Sequence, residues 1–272
     1  MVSRSKSGRP RYQTALGRHV REVLEKHAVA SAFQYSLSPQ PAEQPISKAV
    51  TFRLLGDRCT RGCIFCGTVH QRRPPKPDTK EPQKIAHAVD ELGLDNIVLT
   101  AVHRDDLRDG GAGHFARMIS AIKARRPWAI VEASIPDFGS SKGSVEKIVG
   151  SGPEVVHHNL ETVKRLSSGF RGQSSYKRSL DVLSKVRELN PEIITRSSLA
   201  IGMGERWGEV LAAMRHLRRA GVQELKIVQY MRPTNKHPRV AEYVGAERFE
   251  FYERIAYELG FSNVVSGRPS KV

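Results

Sequence analysis

Thr51-Phe52-Arg53-Leu54-Leu55-Gly56-Asp57-Arg58-Cys59-Thr60-Arg61-Gly62-Cys63-Ile64-Phe65-Cys66 joins a short apolar run to a Gly-Asp turn and then to all three cysteines of a 272-residue sequence. A chain that confines its cysteines to one C-x3-C-x2-C stretch has no partner thiols for disulfides, so the spacing reads as a metal or cluster site. Three thiolates can hold three irons of a cubane [4Fe–4S] cluster and leave the fourth iron open for chemistry. His70 follows at C-x3-C-x2-C-x3-H and would complete a Cys3His zinc site of the structural kind. The cysteines alone leave both readings open.

Outward from this stretch one pattern repeats: a short apolar run, a loop, then an amphipathic segment. Strands are expected at 51–56, 96–102, 129–135, 154–160, 195–203 and 224–230. Helices are expected at 82–92, 114–126, 142–150, 176–189, 206–220 and 246–259. Strand-then-helix alternation argues for α/β architecture with parallel strands, because parallel pairing needs a crossover and the crossover is usually helical. Six units fit a partial, open (β/α)6 TIM-like barrel, and a doubly wound sheet equally. Either fold collects reactive residues at the carboxyl ends of the strands. The cysteines lie just beyond the first strand and His103, Arg104, Asp105 and Asp106 beyond the second. Pro136 and Asp137 follow the third, Asn159 and Glu161 the fourth, Gly202–Glu205 the fifth, and Gln229–Thr234 the sixth. The polar groups thus converge on one rim with the cysteine motif.

Residues 1–15, rich in Ser, Arg, Lys and Gly, are expected to be disordered. Residues 16–27 carry helical spacing and residues 37–47 read as a loop. The expected organisation is an N-terminal extension over 1–47, a core domain over 48–267 and a tail over 268–272. The basic N-terminus lacks a following apolar block and does not read as a secretory signal. No apolar run is long enough to span a bilayer. With reduced cysteines, this points to the cytoplasm, a basic transit peptide being the alternative. Lys plus Arg number 44 against 28 Asp plus Glu, a formal charge of +16. Such a charge attracts nucleic acid, anionic cofactors or an acidic protein. Aromatic residues are only 7% and no RNA-recognition aromatic motif occurs, so a dedicated nucleic-acid module gains little support.

The cysteine loop after the first strand of a (β/α)6 pattern resembles the radical S-adenosylmethionine superfamily. Within it the chain is similar to lipoyl synthases. The segments that carry the similarity are Gly56–Cys66, Pro77–Pro82, Arg104–Gly111, His158–Val163, Gly202–Glu205 and Gln229–Pro233, spread over about residues 50–265. The resemblance implies one [4Fe–4S] cluster on Cys59, Cys63 and Cys66 and S-adenosylmethionine as cofactor. It implies reductive cleavage to a 5′-deoxyadenosyl radical, and hydrogen abstraction from an aliphatic, octanoyl-like, carrier-bound substrate.

Phe65 is expected near the adenine, Thr100 and Asn159 beside the cofactor's polar groups, and Glu161 on a ribose hydroxyl. Arg196 is expected to pair with the cofactor carboxylate, and Arg171, Arg104 and Asp105 to lie toward the substrate. The implied partners are an acidic lipoyl-carrier or acyl-carrier protein and an electron donor such as ferredoxin or flavodoxin. Lipoyl synthases also hold a second, sulfur-donating cluster on three further N-terminal cysteines and on a serine in a C-terminal Arg-Ser-Ser-Tyr stretch. Residues 1–58 contain no cysteine and the sequence ends without that stretch. Self-contained sulfur insertion is therefore expected to be lost, leaving a separate sulfur donor, another fate of the substrate radical, or a diverged radical enzyme with a different substrate and product. His103 stands where the family commonly has an acid. His19 and His27 are read as surface residues rather than substitute ligands. The competing class is a Cys3His zinc protein that binds nucleic acid.

Overall fold

A computed structural model describes residues 15–29 and 49–267; the expectations for residues 1–14, for the loop 37–47 and for the tail 268–272 fall outside them. The long strands are β1 (Ala49–Leu54), β4 (Asn96–Ala101), β5 (Ile130–Ser134), β6 (Val155–His157), β7 (Ile194–Ile201), β8 (Glu224–Gln229) and β9 (Asn263–Gly267). They form one seven-stranded sheet in that order, every pair parallel. Two-residue strands β2 (Arg58–Cys59) and β3 (Val69–His70) form a separate ladder that folds the cysteine loop back on itself.

The strand order decides between the two architectures the sequence left open. Right-handed crossovers between strands that follow one another in order put every helix on the same face. A doubly wound sheet needs a reversal of order to reach its second face. With none here, the sheet curls about its uncovered face as an open barrel. Helices α2 (Glu81–Glu91), α3 (Ala112–Arg125), α4 (Lys142–Gly150), α5 (Lys164–Phe170), α6 (Tyr176–Leu189), α7 (Trp207–Arg219) and α8 (Ala246–Glu258) lie between the strands along the chain. Helix α1 (Ala15–Lys26) buries Val23 and Leu24 in the same core, and its Lys26 pairs with Glu91 of α2.

Local signals start and stop these helices. Ser175 caps α6 by accepting from the Arg178 N–H, and Ser141 caps α4 by accepting from the Ser144 N–H. Along α6, Tyr176, Ser179, Val182, Leu183 and Val186 form one buried stripe before Asn190-Pro191 ends the helix. That stripe joins two apolar clusters, since Val182 and Val186 pack with the first half of the barrel and Leu183 with the second.

Side-chain alternation separates core from lumen. On β7, Thr195, Ser197, Leu199 and Ile201 are buried beneath helices, while Arg196, Ser198 and Ala200 face the concave side. The lumen wall therefore carries charge: Arg196 pairs with Glu132 and Glu224, and His157 Nδ1 lies 3.1 Å from Glu132 Oε1.

Candidate functional site

The cysteine loop sits on the carboxyl-end rim and is held from several sides. The Thr60 N–H donates to the His103 carbonyl at 2.9 Å, and the Gln71 N–H to the Cys59 carbonyl at 2.8 Å. The Ile64 N–H donates to the Phe170 carbonyl at 3.0 Å, and the Cys63 thiol to the Arg171 carbonyl at 3.2 Å. Gly172, with φ +55°, lies so close to Gly62 that an added Cβ would stand 3.3 Å from the Gly62 carbonyl oxygen. On the opposite side His237 Nε2 lies 3.1 Å from the Cys66 carbonyl oxygen, so the segment after β8 touches the loop after β1.

The three thiols are graded in exposure: Cys59 is buried, Cys63 half-buried and Cys66 exposed. Burial raises the Cys59 pKa despite N–H groups of Arg61 and His103 directed at its sulfur. Burial, then the neighbouring Cys66 and Glu161, push Cys63 up to about 12. Such thiols stay protonated until a metal cation displaces the proton, as ligand thiols do. Among the described residues no three His, Cys, Asp or Glu side chains converge on one point. A single zinc gathers all its sulfurs at about 2.3 Å, whereas a cubane takes each thiolate on a different iron. His70 is exposed and lies beside Gly62, on the strand paired with Cys59. Three thiols on one loop are a donor set that fits a cubane cluster.

Beside Cys63 the structure gathers Asn159, Glu161 and Arg171. Glu161 holds φ +68°, a left-handed conformation that is costly for a residue with a Cβ and that is commonest at functional sites. It is kept there by backbone bonds on both sides: its N–H donates to the Ser198 carbonyl, and its carbonyl accepts from Ala200. Arg171 is buried; it donates to Ser179 Oγ at 2.9 Å, and its Nε has no hydrogen-bond partner. An orphaned, buried guanidinium N–H next to a strained carboxylate is what a polar cofactor would satisfy. The Ser198 hydroxyl donates to Asn159 Oδ1 at 2.5 Å. Behind them a chain of hydrogen bonds runs from Arg171 through Ser179 to His158 Nε2, and from His158 Nδ1–H to the Ile135 carbonyl. Burial pushes His158 down to about 4, and it pushes His103 down to about 3.

The pattern of the Radical SAM superfamily matches residues 54–217. A lipoyl synthase of Thermus thermophilus is 46% identical over 260 residues, spanning 95% of this chain and 79% of its own. The chain belongs to the lipoyl synthase family of radical SAM enzymes. A lipoyl synthase of Caldicellulosiruptor bescii is 43% identical over 90% of this chain and 84% of its own. Among solved structures, methylornithine synthase (PylB) superposes with a TM-score of 0.62 at 11% identity over 96% of this chain and 80% of its own. The SuiB structure bound to S-adenosylmethionine gives 0.64 at 12% identity over 93% and 54%. At such identities these structures speak for the fold alone.

Three of the expected site residues are engaged by their own chain. Arg104 donates to the Leu55 and Pro75 carbonyls and to both oxygens of Asp106, using four of its five N–H groups on its own chain. It clamps together the segments that carry Leu55 and Pro75. Asp105 accepts from Arg61, and its Oδ2 lies 2.8 Å from Thr60 Oγ1. Arg196 stands near the start of β7, engaged by the lumen carboxylates Glu132 and Glu224. Thr100 is half-buried near the end of β4, in register with Arg53 and Ser134, and Phe65 is half-buried within the cysteine loop. His27 lies 2.7 Å from Glu91, in the last turn of α2 where that helix leads into the start of β4, at the other end of the strands from the cysteines.

Arg61, outside the expected site residues, stands midway between Cys59 and Cys63 and is buried. All five of its N–H donors are used: on Asp105 at 2.8 and 2.7 Å, on Asp137 at 2.7 and 2.6 Å, and on Ser174 at 2.9 Å. Burial opposes charge on Asp137, yet Arg61 holds that carboxyl far below the usual range. An arginine between two cluster cysteines was the available signal.

Proposed function

We propose that Cys59, Cys63 and Cys66 bind a single [4Fe–4S] cluster, with Thr100, Asn159, Glu161 and Phe65 oriented to S-adenosylmethionine and Arg171 beside them. When bound, the cluster supplies one electron to the sulfonium of S-adenosylmethionine, releasing methionine and a 5′-deoxyadenosyl radical that abstracts hydrogen. The chain's own residues position that chemistry. Glu161 offers a carboxylate to sugar hydroxyls, Arg171 and Asn159 line the wall beside Cys63, and the loops around the cysteines shield the site from water. The observation that carries the reading is the cysteine triad at the strand rim next to a strained Glu161 and an orphaned Arg171 Nε.

The substrate is an octanoyl-like chain on an acidic lipoyl-carrier or acyl-carrier domain, for which a +16 chain is electrostatically suited. A ferredoxin- or flavodoxin-type protein supplies the electron, and the reaction takes place in the cytoplasm. One cluster takes every thiolate in these 272 residues. That favours a separate sulfur donor, or another fate for the substrate radical. A deuterated octanoyl carrier domain tests this reading. Deuterium should enter 5′-deoxyadenosine, and thiolated product should appear only with an added sulfur source. Formation of 5′-deoxyadenosine without deuterium would remove the octanoyl substrate.

A further inference from the structure

We infer that Arg61 is the positioning residue of the cysteine loop, fixing the cluster's place on the rim and contributing to its reduction potential. The inference rests on reading the cysteine triad as a cluster site. Its geometry stands apart from that reading. A guanidinium whose side chain is 2% exposed forks between Asp105, 34% exposed, and Asp137, fully buried. These carboxylates follow β4 and β5, and Ser174 precedes α6, so one side chain ties the loop after β1 to three other parts of the rim. The Arg61 backbone N–H also lies 3.4 Å from Cys59 Sγ, so the same residue supports a ligand sulfur directly. Planar, bidentate pairing on two sides fixes both distance and orientation, which a lysine ammonium cannot do. Partners of this kind around a metal ligand set affinity and potential as well as fold.

The test uses reconstituted chain in the wild-type form and as Arg61→Gln, Asp105→Asn and Leu217→Ala. Leu217 is buried in α7 beneath the outer helices and serves as a stability control. Three quantities are read: Tm of the iron-free chain, midpoint potential of the cluster, and the rate at which a chelator strips iron. All three variants should lower Tm. Arg61→Gln should move the potential down, because it removes a cation and exposes two carboxylates. Asp105→Asn should move it up, because it removes an anion. Iron loss should quicken on the order of tenfold in both, with Leu217→Ala leaving potential and iron retention as in the wild type. If Arg61→Gln does not fold, the upward shift in Asp105→Asn decides. Potentials and iron loss matching Leu217→Ala would overturn the inference and leave Arg61 a purely structural clamp. A wild-type chain that takes up no iron would overturn the cluster reading itself, and this inference with it.

Discussion

Cys66 is exposed where Cys59 is buried, yet a cubane needs both equally. Replacing any one of Cys59, Cys63 or Cys66 by Ala should therefore abolish iron retention and 5′-deoxyadenosine formation, measured after anaerobic reconstitution. His70→Ala should keep both, and metal loss in that variant would revive the zinc reading. His158 gives a second prediction at this scale. It is neutral and fully enclosed, accepting from Ser179 and donating to Ile135, and burial lowers it to about 4 from an ordinary value near 6.5. Between those values the unfolded chain binds the extra proton, so the stabilisation is present above about pH 6.5 and is lost as pH falls toward 4. The loss amounts to about 3 kcal/mol. Urea midpoints across that range should show it, and His158→Gln should flatten the slope. An unchanged slope in the variant would remove His158 as the cause. The cysteines were legible because their spacing is local. Arg61 was not, because its carboxylate partners lie 44 and 76 residues away and appear only when three rim loops meet.

Gly202 ends β7 with φ +98°, and a Cβ there would stand 2.3 Å from Gln229 Nε2 and 2.5 Å from the Glu242 carbonyl oxygen. Gly204 has a similar φ of +102° but meets only Ala241 Cβ at 3.9 Å. The close approach at Gly202 is made by the chain itself: Gln229 Nε2 donates to the Glu242 carbonyl, and Gly202 accepts from Ala241. Gly202→Ala should thus carry both backbone strain, about 1–3 kcal/mol, and a steric clash. Gly204→Ala should carry the strain alone. Thermal melts of the two variants measure the difference, and equal losses would mean that the turn yields. At this scale the alternating strand and helix pattern was legible, with α4 and α6 bounded as expected and the other ends within two residues, save the end of β6. Besides the two-residue strands β2 and β3, two elements were not expected. Strand β9 is Asn-Val-Val-Ser-Gly, whose polar ends hide its two valines, and α5 contains Ser-Ser-Gly, which weakens any helical pattern. The fourth expected strand, β6, stops at His157, three residues before the end of the run 154–160.

For the whole molecule, strand order makes the function geometric. Seven parallel strands in chain order open their carboxyl ends on one rim, and every loop that reaches it can add a residue to one site. That convergence was legible in the sequence once the strands were placed, although the choice between barrel and doubly wound sheet was not, because strand order is a property of pairing. No helix among the described residues is long and apolar enough to cross a membrane. The strongly basic charge should make encounter with an acidic carrier domain slower at high salt, which stopped-flow association rates at two ionic strengths would read. The claim on which all of this depends is one radical cluster per chain. Anaerobic reconstitution with iron and sulfide, followed by iron counting and assay of 5′-deoxyadenosine from S-adenosylmethionine and reductant, tests it most directly. About four irons per chain with 5′-deoxyadenosine formed is the predicted result; zinc in place of iron and an intact cofactor would contradict it.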